Sequence, residues 1–192
     1  NKYNVFVQIA KQAITAETTT FVDSEVQTDR FSYEYRVKII DSCGNFGAIA
    51  NEVKTILLEI QSDEVQMLNN LSWNAYEGFN GSVTKYNIFR SFNGTYSWPP
   101  LATVSANTLF YQDDLNAEAN FAGKVCYYVE AIESMNVYNF SEQSMSNEAC
   151  ATFEPLIYIP NAFTPGGLNP IFIPVVTLNN PQNYRLTIVD RW

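Results

Sequence analysis

The chain has 192 residues, a formal net charge of −9 and no histidine. An acidic surface repels phosphate backbones and anionic lipids, so we expect no nucleic-acid binding and no attraction to anionic membranes. The lack of histidine excludes Ser-His-Asp and Cys-His catalysis and histidine-ligated metal within this chain. No apolar run reaches about 18 residues, so we expect no membrane span. Aromatic residues make up 15% of the chain and charged residues 16%, a mixture typical of β-sandwiches.

An internal repeat divides the sequence into units. Residues 35–42 match residues 127–134, and three shorter pairs of segments match in the same order: 2–6 with 85–89, 21–23 with 111–113, and 50–52 with 146–148. A separation of about 90 residues is that of a domain rather than of a solenoid unit. The repeat therefore predicts two copies of one domain in tandem, with longer loops in the second copy.

The second copy, residues 61–154, is built from short segments in which apolar and polar residues alternate. This alternation is typical of strands with one buried face, and several such strands predict an antiparallel sandwich. The Asn93-Gly94 pair predicts a hairpin turn, because these residue types tolerate positive φ. By the alternation, the residues that lie on shared strand faces are Leu71, Trp73, Tyr86, Ile88, Arg90, Val125, Tyr127, Val129 and Ala131.

Three words of the second copy resemble the fibronectin type III domain. They are Leu71-x-Trp73, Tyr86-x-Ile88-x-Arg90 and Tyr127-x-Val129-x-Ala131. The resemblance implies an all-β fold of tandem antiparallel β-sandwiches, with Trp73 in the core and Tyr127 at the sheet corner. The structural core residues expected from the pattern and the resemblance are Trp73, Tyr86, Tyr127 and, in the first copy, Tyr35.

The first copy, residues 1–60, matches this domain only from its third strand onward. We therefore expect a partial domain that lacks its first two strands, and we predict that it does not fold alone. No Gly/Pro/Ser-rich spacer separates the copies, so we expect them to stack end to end with limited swing.

Two of the three cysteines fall on predicted neighbouring strands. Cys126 lies on the sixth strand and Cys150 on the seventh, which predicts a disulfide; two buried thiols are the alternative. The bond would contribute about 3 kcal/mol by loop closure and would indicate an oxidising compartment. Cys43 either pairs with a residue of the missing strands or is free.

Two further patterns have both a functional and a structural interpretation. Trp98, beside the Asn-Gly turn, suits an aromatic sugar platform, but we favour a hairpin that packs its own ring on the sheet. An acidic turn offers oxygen ligands for Ca²⁺, although its spacing is not that of an EF-hand, and we favour a solvated turn. The residues of this turn are Asp113, Asp114, Asn116 and Glu118. We expect no cofactor and no metal.

Residues 155–192 contain an apolar strand at 156–159 and a second predicted strand at 184–189. The words Ile159-Pro160-Asn161-Ala162-Phe163-Thr164-Pro165 and Tyr184-x-Leu186-x-Ile188-x-x-Arg191-Trp192 resemble the gliding-motility-associated C-terminal domain of Bacteroidetes. This domain is also called the type B sorting domain of the type IX secretion system. The resemblance implies the first strands of a truncated β-sandwich. The sorting and partner-binding residues it implies are Ile159, Pro160, Asn161, Phe163, Thr164, Pro165, Tyr184, Leu186, Ile188, Arg191 and Trp192.

The turn after Pro165 departs from the family pattern. The family has two more positions between this proline and the phenylalanine that corresponds to Phe172, and an acidic residue stands in its Gly-rich turn. We hypothesise that an Asp-Gly pair is missing after Gly167, which peptide mapping of this turn would test.

The two resemblances imply a secreted bacterial cell-surface protein without catalytic activity. The fibronectin-like domains would act as an adhesive stalk or spacer, and the C-terminal domain would direct export through the periplasm and outer membrane. The implied partners are the type IX translocon channel and the outer-membrane shuttle barrel, with recognition through strand edges. An adhesive stalk would also bind a surface polysaccharide or a host ligand. The main alternative is a carbohydrate-binding accessory region of a large extracellular enzyme. A eukaryotic receptor ectodomain is a third possibility, but the motifs at residues 159–165 and 184–192 argue against it.

Overall fold

The computed structural model describes residues 6–12, 20–118, 123–154, 157–160, 164, 166–168, 170–176, 185 and 187. The described part of the chain is all-β, as predicted, with antiparallel strands, a single-turn 3-10 helix (Leu115–Ala117) and no α-helix. The strands are β1 (Glu34–Ile40), β2 (Phe46–Lys54), β3 (Leu58–Asp63), β4 (Leu68–Trp73), β5 (Val83–Phe92), β6 (Thr95–Tyr96), β7 (Ala102–Ser105), β8 (Phe110–Asp114), β9 (Gly123–Glu133), β10 (Gln143–Met145), β11 (Ala149–Phe153), β12 (Ile157–Tyr158) and β13 (Val175–Val176).

Strands β3 to β11 form two sheets whose inner faces share one core. The smaller sheet has the order β3-β4-β8. In the larger sheet, β9 pairs with β5 on one side and with β10 and β11 on the other, and β6 and β7 extend the free edge of β5. The alternation in the sequence accounts for the inner faces, because side chains of one parity along a strand point to the same side. The fully or largely buried apolar side chains between the sheets are Ile56, Leu58, Met67, Leu71, Trp73, Tyr86, Ile88, Leu115, Val125, Tyr127, Val129, Ala131, Ala149 and Phe153.

The predicted turn at Asn93-Gly94 joins β5 to β6. Both residues have positive φ, 53° for Asn93 and 93° for Gly94. These are the conformations that a tight hairpin with the right-handed strand twist requires.

This central unit begins earlier than the predicted boundary at Gln61. Ile56 and Leu58 belong to its core, and β3 begins at Leu58. The Asn147 side chain fixes the start of β3, since it accepts from the Leu58 amide at 2.7 Å and donates to the Leu58 carbonyl at 3.0 Å. The apolar run 56–60, which the sequence analysis assigned to the end of the first copy, therefore enters the second sandwich.

The first unit is built on the β1–β2 hairpin, whose ladder is interrupted by two register shifts. Apolar side chains on this hairpin are exposed in the described structure: Val37, Ile39, Ile40, Phe46 and Ile49. None of the hairpin side chains that the structure describes belongs to the core cluster of the central unit.

The two units meet at the end of β2. The Lys54 amide donates to the Glu77 carbonyl at 2.8 Å, and the Asn51 side chain donates to that of Asn80 at 3.2 Å. Gly78 has a φ of 134°, and a Cβ at this position would lie 2.8 Å from Cγ2 of Val53. The close approach of Gly78 to Val53 requires glycine, so the junction is a packed contact rather than an open linker.

The terminal segment contains a short antiparallel pair, β12 with β13. The predicted strand 156–159 corresponds to β12 in its described part. The predicted strand 184–189 lies outside the described residues, apart from the exposed Arg185 and Thr187. No helix in the described part of the chain is long and apolar enough to cross a membrane.

Candidate functional site

The predicted sorting residues are only partly described. Ile159, Pro160 and Thr164 lie within the described structure; Ile159 and Thr164 are exposed and Pro160 is half-buried. The remaining predicted sorting residues lie outside it: Asn161, Phe163, Pro165, Tyr184, Leu186, Ile188, Arg191 and Trp192. The partner-binding role of the predicted sorting residues therefore stays a prediction.

The predicted disulfide is present between Cys126 on β9 and Cys150 on β11. The two residues are directly opposed in the β9–β11 ladder, with their Cα atoms 4.1 Å apart. Glu148 offers a carboxylate oxygen within 4.8 Å of both sulfur atoms. With the sulfur atoms joined, neither cysteine is a thiolate that would ligate a metal. Cys43 is exposed and free.

The three predicted core residues of the second copy lie in its core cluster. Trp73 and Tyr86 meet edge to face, with ring centroids 5.7 Å apart, and the Tyr86 hydroxyl accepts from the Tyr76 amide at 3.0 Å. Tyr35 is different, since it is half-buried. The difference follows from the β1–β2 hairpin, whose apolar face has no second sheet against it within the described residues.

The acidic turn predicted as a weak Ca²⁺ candidate is bound to an arginine of the opposite sheet. Asp113 accepts two hydrogen bonds from Nη1 of Arg90, at 2.9 and 3.0 Å, and Glu118 accepts from Nη2 at 2.5 Å. The carboxylate of Asp114 accepts from the amide of Asn116 at 2.9 Å and caps the 3-10 helix. In the described part of this turn, two of the carboxylates are therefore neutralised by a guanidinium, which does not suit a cluster of free cation ligands.

Asp113 also takes part in a buried hydrogen-bond chain. The Tyr127 hydroxyl donates to Asp113 at 2.7 Å and accepts from the Asn69 amide group at 2.9 Å. Burial and the hydrogen bond to Asp113 raise the pKa of Tyr127 well above its ordinary value of 10.0. The phenol therefore stays protonated and links the two sheets at physiological pH.

The first unit contains the same tyrosine–aspartate hydrogen bond. The Tyr35 hydroxyl donates to Asp23 at 3.1 Å. Tyr35 and Asp23 are the repeat counterparts of Tyr127 and Asp113 in the sequence. The internal repeat thus corresponds to an equivalent tertiary contact in both units.

A second carboxylate joins two loops near the junction between the units. Glu133 accepts from the amides of Gly81 at 2.5 Å and Glu142 at 2.9 Å, and from the side chain of Asn136 at 3.1 Å. Burial opposes ionisation, but these donors outweigh it and lower the pKa of Glu133. Glu133 therefore fixes the loop that contacts the first unit at Glu77 and Asn80.

The outer face of the larger sheet carries a stack of three aromatic rings, Trp98, Phe89 and Tyr128, which we call the aromatic stack. The Phe89 and Tyr128 rings lie 4.6 Å apart and 12° from parallel, and Trp98 stacks on Phe89 at 5.7 Å and 22°. Phe89 is 2% exposed, whereas Trp98, at the end of the stack, is 82% exposed. Trp98 thus stacks on Phe89 and yet presents most of its surface to solvent.

A row of polar side chains runs beside the aromatic stack on the same face, formed by Thr103, Asn87 and Glu130; we call it the polar row. Thr103 donates to the Asn87 carbonyl oxygen at 2.9 Å, and the Asn87 amide nitrogen donates to Glu130 at 3.0 Å. Asn87 is opposite Thr103 in the β5–β7 ladder and opposite Glu130 in the β5–β9 ladder. The row therefore crosses three adjacent strands.

Sequence reasoning did not identify Phe89, Tyr128 and the polar row as a surface. The available signal was that β5 and β9 carry large side chains at both parities, which is unusual for a strand with one solvated face. Comparison of the chain with protein-family models, curated proteins and solved structures gave no match.

Proposed function

We propose that the chain is the non-catalytic C-terminal region of a secreted bacterial cell-surface protein. Its fibronectin type III-like units form a stalk or spacer. Its terminal segment, from residue 155 onward, belongs to a type IX sorting domain that directs export and surface attachment.

The observation that carries the stalk proposal is the direct packing of two repeated units. The tyrosine–aspartate hydrogen bond recurs in both, and the second unit holds the first through Glu77, Gly78 and Asn80. A spacer needs such contacts, because a row of domains keeps a fixed length and orientation only if neighbouring domains pack against each other. The strand order of the central unit, three strands against a larger sheet, agrees with the fibronectin type III resemblance.

The Cys126–Cys150 disulfide supports an exported location. Disulfides persist in the periplasm and outside the cell and are rare in reducing compartments. The all-β architecture and the words at 159–165 and 184–192 support assignment of the terminal segment to the sorting family. Exposed apolar residues at β12, namely Ile157, Tyr158 and Ile159, are suited to strand addition onto a partner.

Deletion in the native host tests the export role. The full-length gene is expressed without the residues from 155 to its natural end, and a matched control lacks residues 56–153 instead. We expect the first product to stay in the periplasm and the control to reach the surface with a shorter stalk. Arrival of both products at the surface would contradict the sorting role, and the repeated units would then be a stalk without an export address.

A further inference from the structure

We propose that the outer face of the larger sheet binds a neutral polysaccharide, with one sugar ring stacked on Trp98 and its neighbour hydrogen-bonded by the polar row. This goes beyond the proposed function, since a spacer needs no ligand site. The inference rests on the geometry of the central unit alone.

The first step is the position of Trp98. Trp98 is 82% exposed and so leaves most of a large apolar ring in water, where a ligand can reach it. One face of this ring lies against Phe89, which in turn lies against Tyr128. A ligand therefore meets a ring that is already held in place, which reduces the entropy lost on binding. A flat, exposed ring of this kind suits the flat apolar face of a pyranose.

The second step is the distance between the aromatic stack and the polar row. Phe89 and Asn87 are two residues apart on β5, so the aromatic stack and the polar row are separated by about 7 Å along the strand. Carboxylate, amide and hydroxyl groups have more hydrogen-bonding capacity than the bonds within the row use. A sugar chain that starts on Trp98 and runs along β5 would bring the hydroxyls of its next unit towards Thr103 and Asn87, while Glu130, which is 8% exposed, holds the Asn87 amide group in place.

The third step is charge. Glu130 lies in the polar row, and Glu148 accepts from the Tyr96 hydroxyl at 2.6 Å beside the stack. The whole chain carries a net charge of −9. A nucleic acid base would also stack on Trp98, but its phosphates would be repelled. A purely apolar partner would bury the polar row without hydrogen bonds. A neutral sugar can stack on the aromatic stack and form hydrogen bonds with the polar row.

Affinity electrophoresis of the purified 192-residue chain tests the proposal. Native gels contain laminarin, hydroxyethyl cellulose, soluble starch or mannan as neutral probes, and polygalacturonate as an anionic one. We expect retardation in at least one neutral gel and none in the anionic gel. Trp98→Ala should weaken the binding at least about tenfold, and Asn87→Ala and Glu130→Gln several-fold. Trp98→Tyr should retain most of it, because the ring surface remains.

A matched control removes an exposed aromatic ring elsewhere. Phe110 is 69% exposed and lies on β8 of the smaller sheet, so Phe110→Ala should bind as the parent does. The near-ultraviolet circular dichroism of the buried Trp73 confirms that each variant is folded. Lack of retardation in all four neutral gels, or equal retardation of Trp98→Ala and the parent, would overturn the proposal. Salt-sensitive binding of oligolysine in place of neutral sugars would assign the face to a cationic partner instead.

Discussion

The β1–β2 hairpin and the central unit are built from the same repeated sequence, yet their equivalent side chains lie in different surroundings. Val129 on β9 is 0% exposed, and its repeat counterpart Val37 on β1 is 62% exposed. The tyrosine–aspartate hydrogen bond is also present twice. The bond in the central unit is buried and Asp113 also accepts from Arg90, whereas the bond in the first unit is partly buried and no described arginine contacts Asp23. The repeat therefore specifies local contacts, whereas stability depends on a second sheet that covers the apolar face.

The strongest test of this comparison separates the two units. Residues 56–154 alone should unfold cooperatively on heating, because both sheets of the sandwich and the disulfide are retained. Residues 1–54 alone should show no cooperative transition by circular dichroism, since an isolated hairpin is at best marginally stable in water. A cooperative transition of the 1–54 peptide would contradict the dependence on a second sheet.

Removal of the disulfide should have the next largest effect. The bond spans 24 residues, so the double variant Cys126→Ala/Cys150→Ala should lose about 3 kcal/mol of unfolding free energy in urea. Cys43→Ala is the matched control, because Cys43 is exposed and free, and it should leave the urea midpoint unchanged. A midpoint shift as large as that of the double variant would show that Cys43 has a structural role in the first unit.

The two valines at equivalent repeat positions measure the difference in burial directly. Val129→Ala should cost about 2 kcal/mol through lost transfer energy and a cavity, and Val37→Ala should change stability by less than about 0.5 kcal/mol. Urea unfolding of the full chain measures both. Equal losses would mean that the apolar face of the hairpin is covered in solution.

The two tyrosines should show a smaller difference. Tyr127→Phe removes one hydrogen bond from Asp113, which keeps Arg90, and leaves the side-chain amide nitrogen of Asn69 without its buried acceptor. The substitution should cost about 1–2 kcal/mol, whereas Tyr35→Phe should cost less than about 0.5 kcal/mol. The pKa of Tyr127 is raised in the folded protein, so its stabilising contribution is fully present below the ordinary value of 10.0 and is lost as the pH rises above it. The Tyr127→Phe variant should lose less stability than the parent between about pH 8 and about pH 11, as measured by urea midpoints. If the urea midpoint of Tyr127→Phe fell with pH as steeply as that of the parent, this assignment would be contradicted.

Several features were predictable from sequence because they depend on neighbouring strands or local turns. The Cys126–Cys150 pairing followed from the order of two adjacent strands, and the Asn93-Gly94 hairpin followed from residue types that tolerate positive φ. The strand β3 begins at Leu58, ahead of the predicted boundary at Gln61, because an apolar run suits the end of one unit and the start of the next equally well. The contact of Asp113 with Arg90 was not predictable, since it joins strands of opposite sheets.

The all-β class, the parity of side chains along β4, β5 and β9, and the repeat that relates the two units can be read from the order of residues. Alternation and repeat spacing are local properties, and they state which side chains share a face. Which faces are covered depends on the folded chain. Both faces of β5 are covered at Ile88 and Phe89, whereas β1 is largely exposed at Val37. The physical reason is that burial arises from contacts between segments distant in sequence, and Trp98 reaches the outer face of the sheet through such packing.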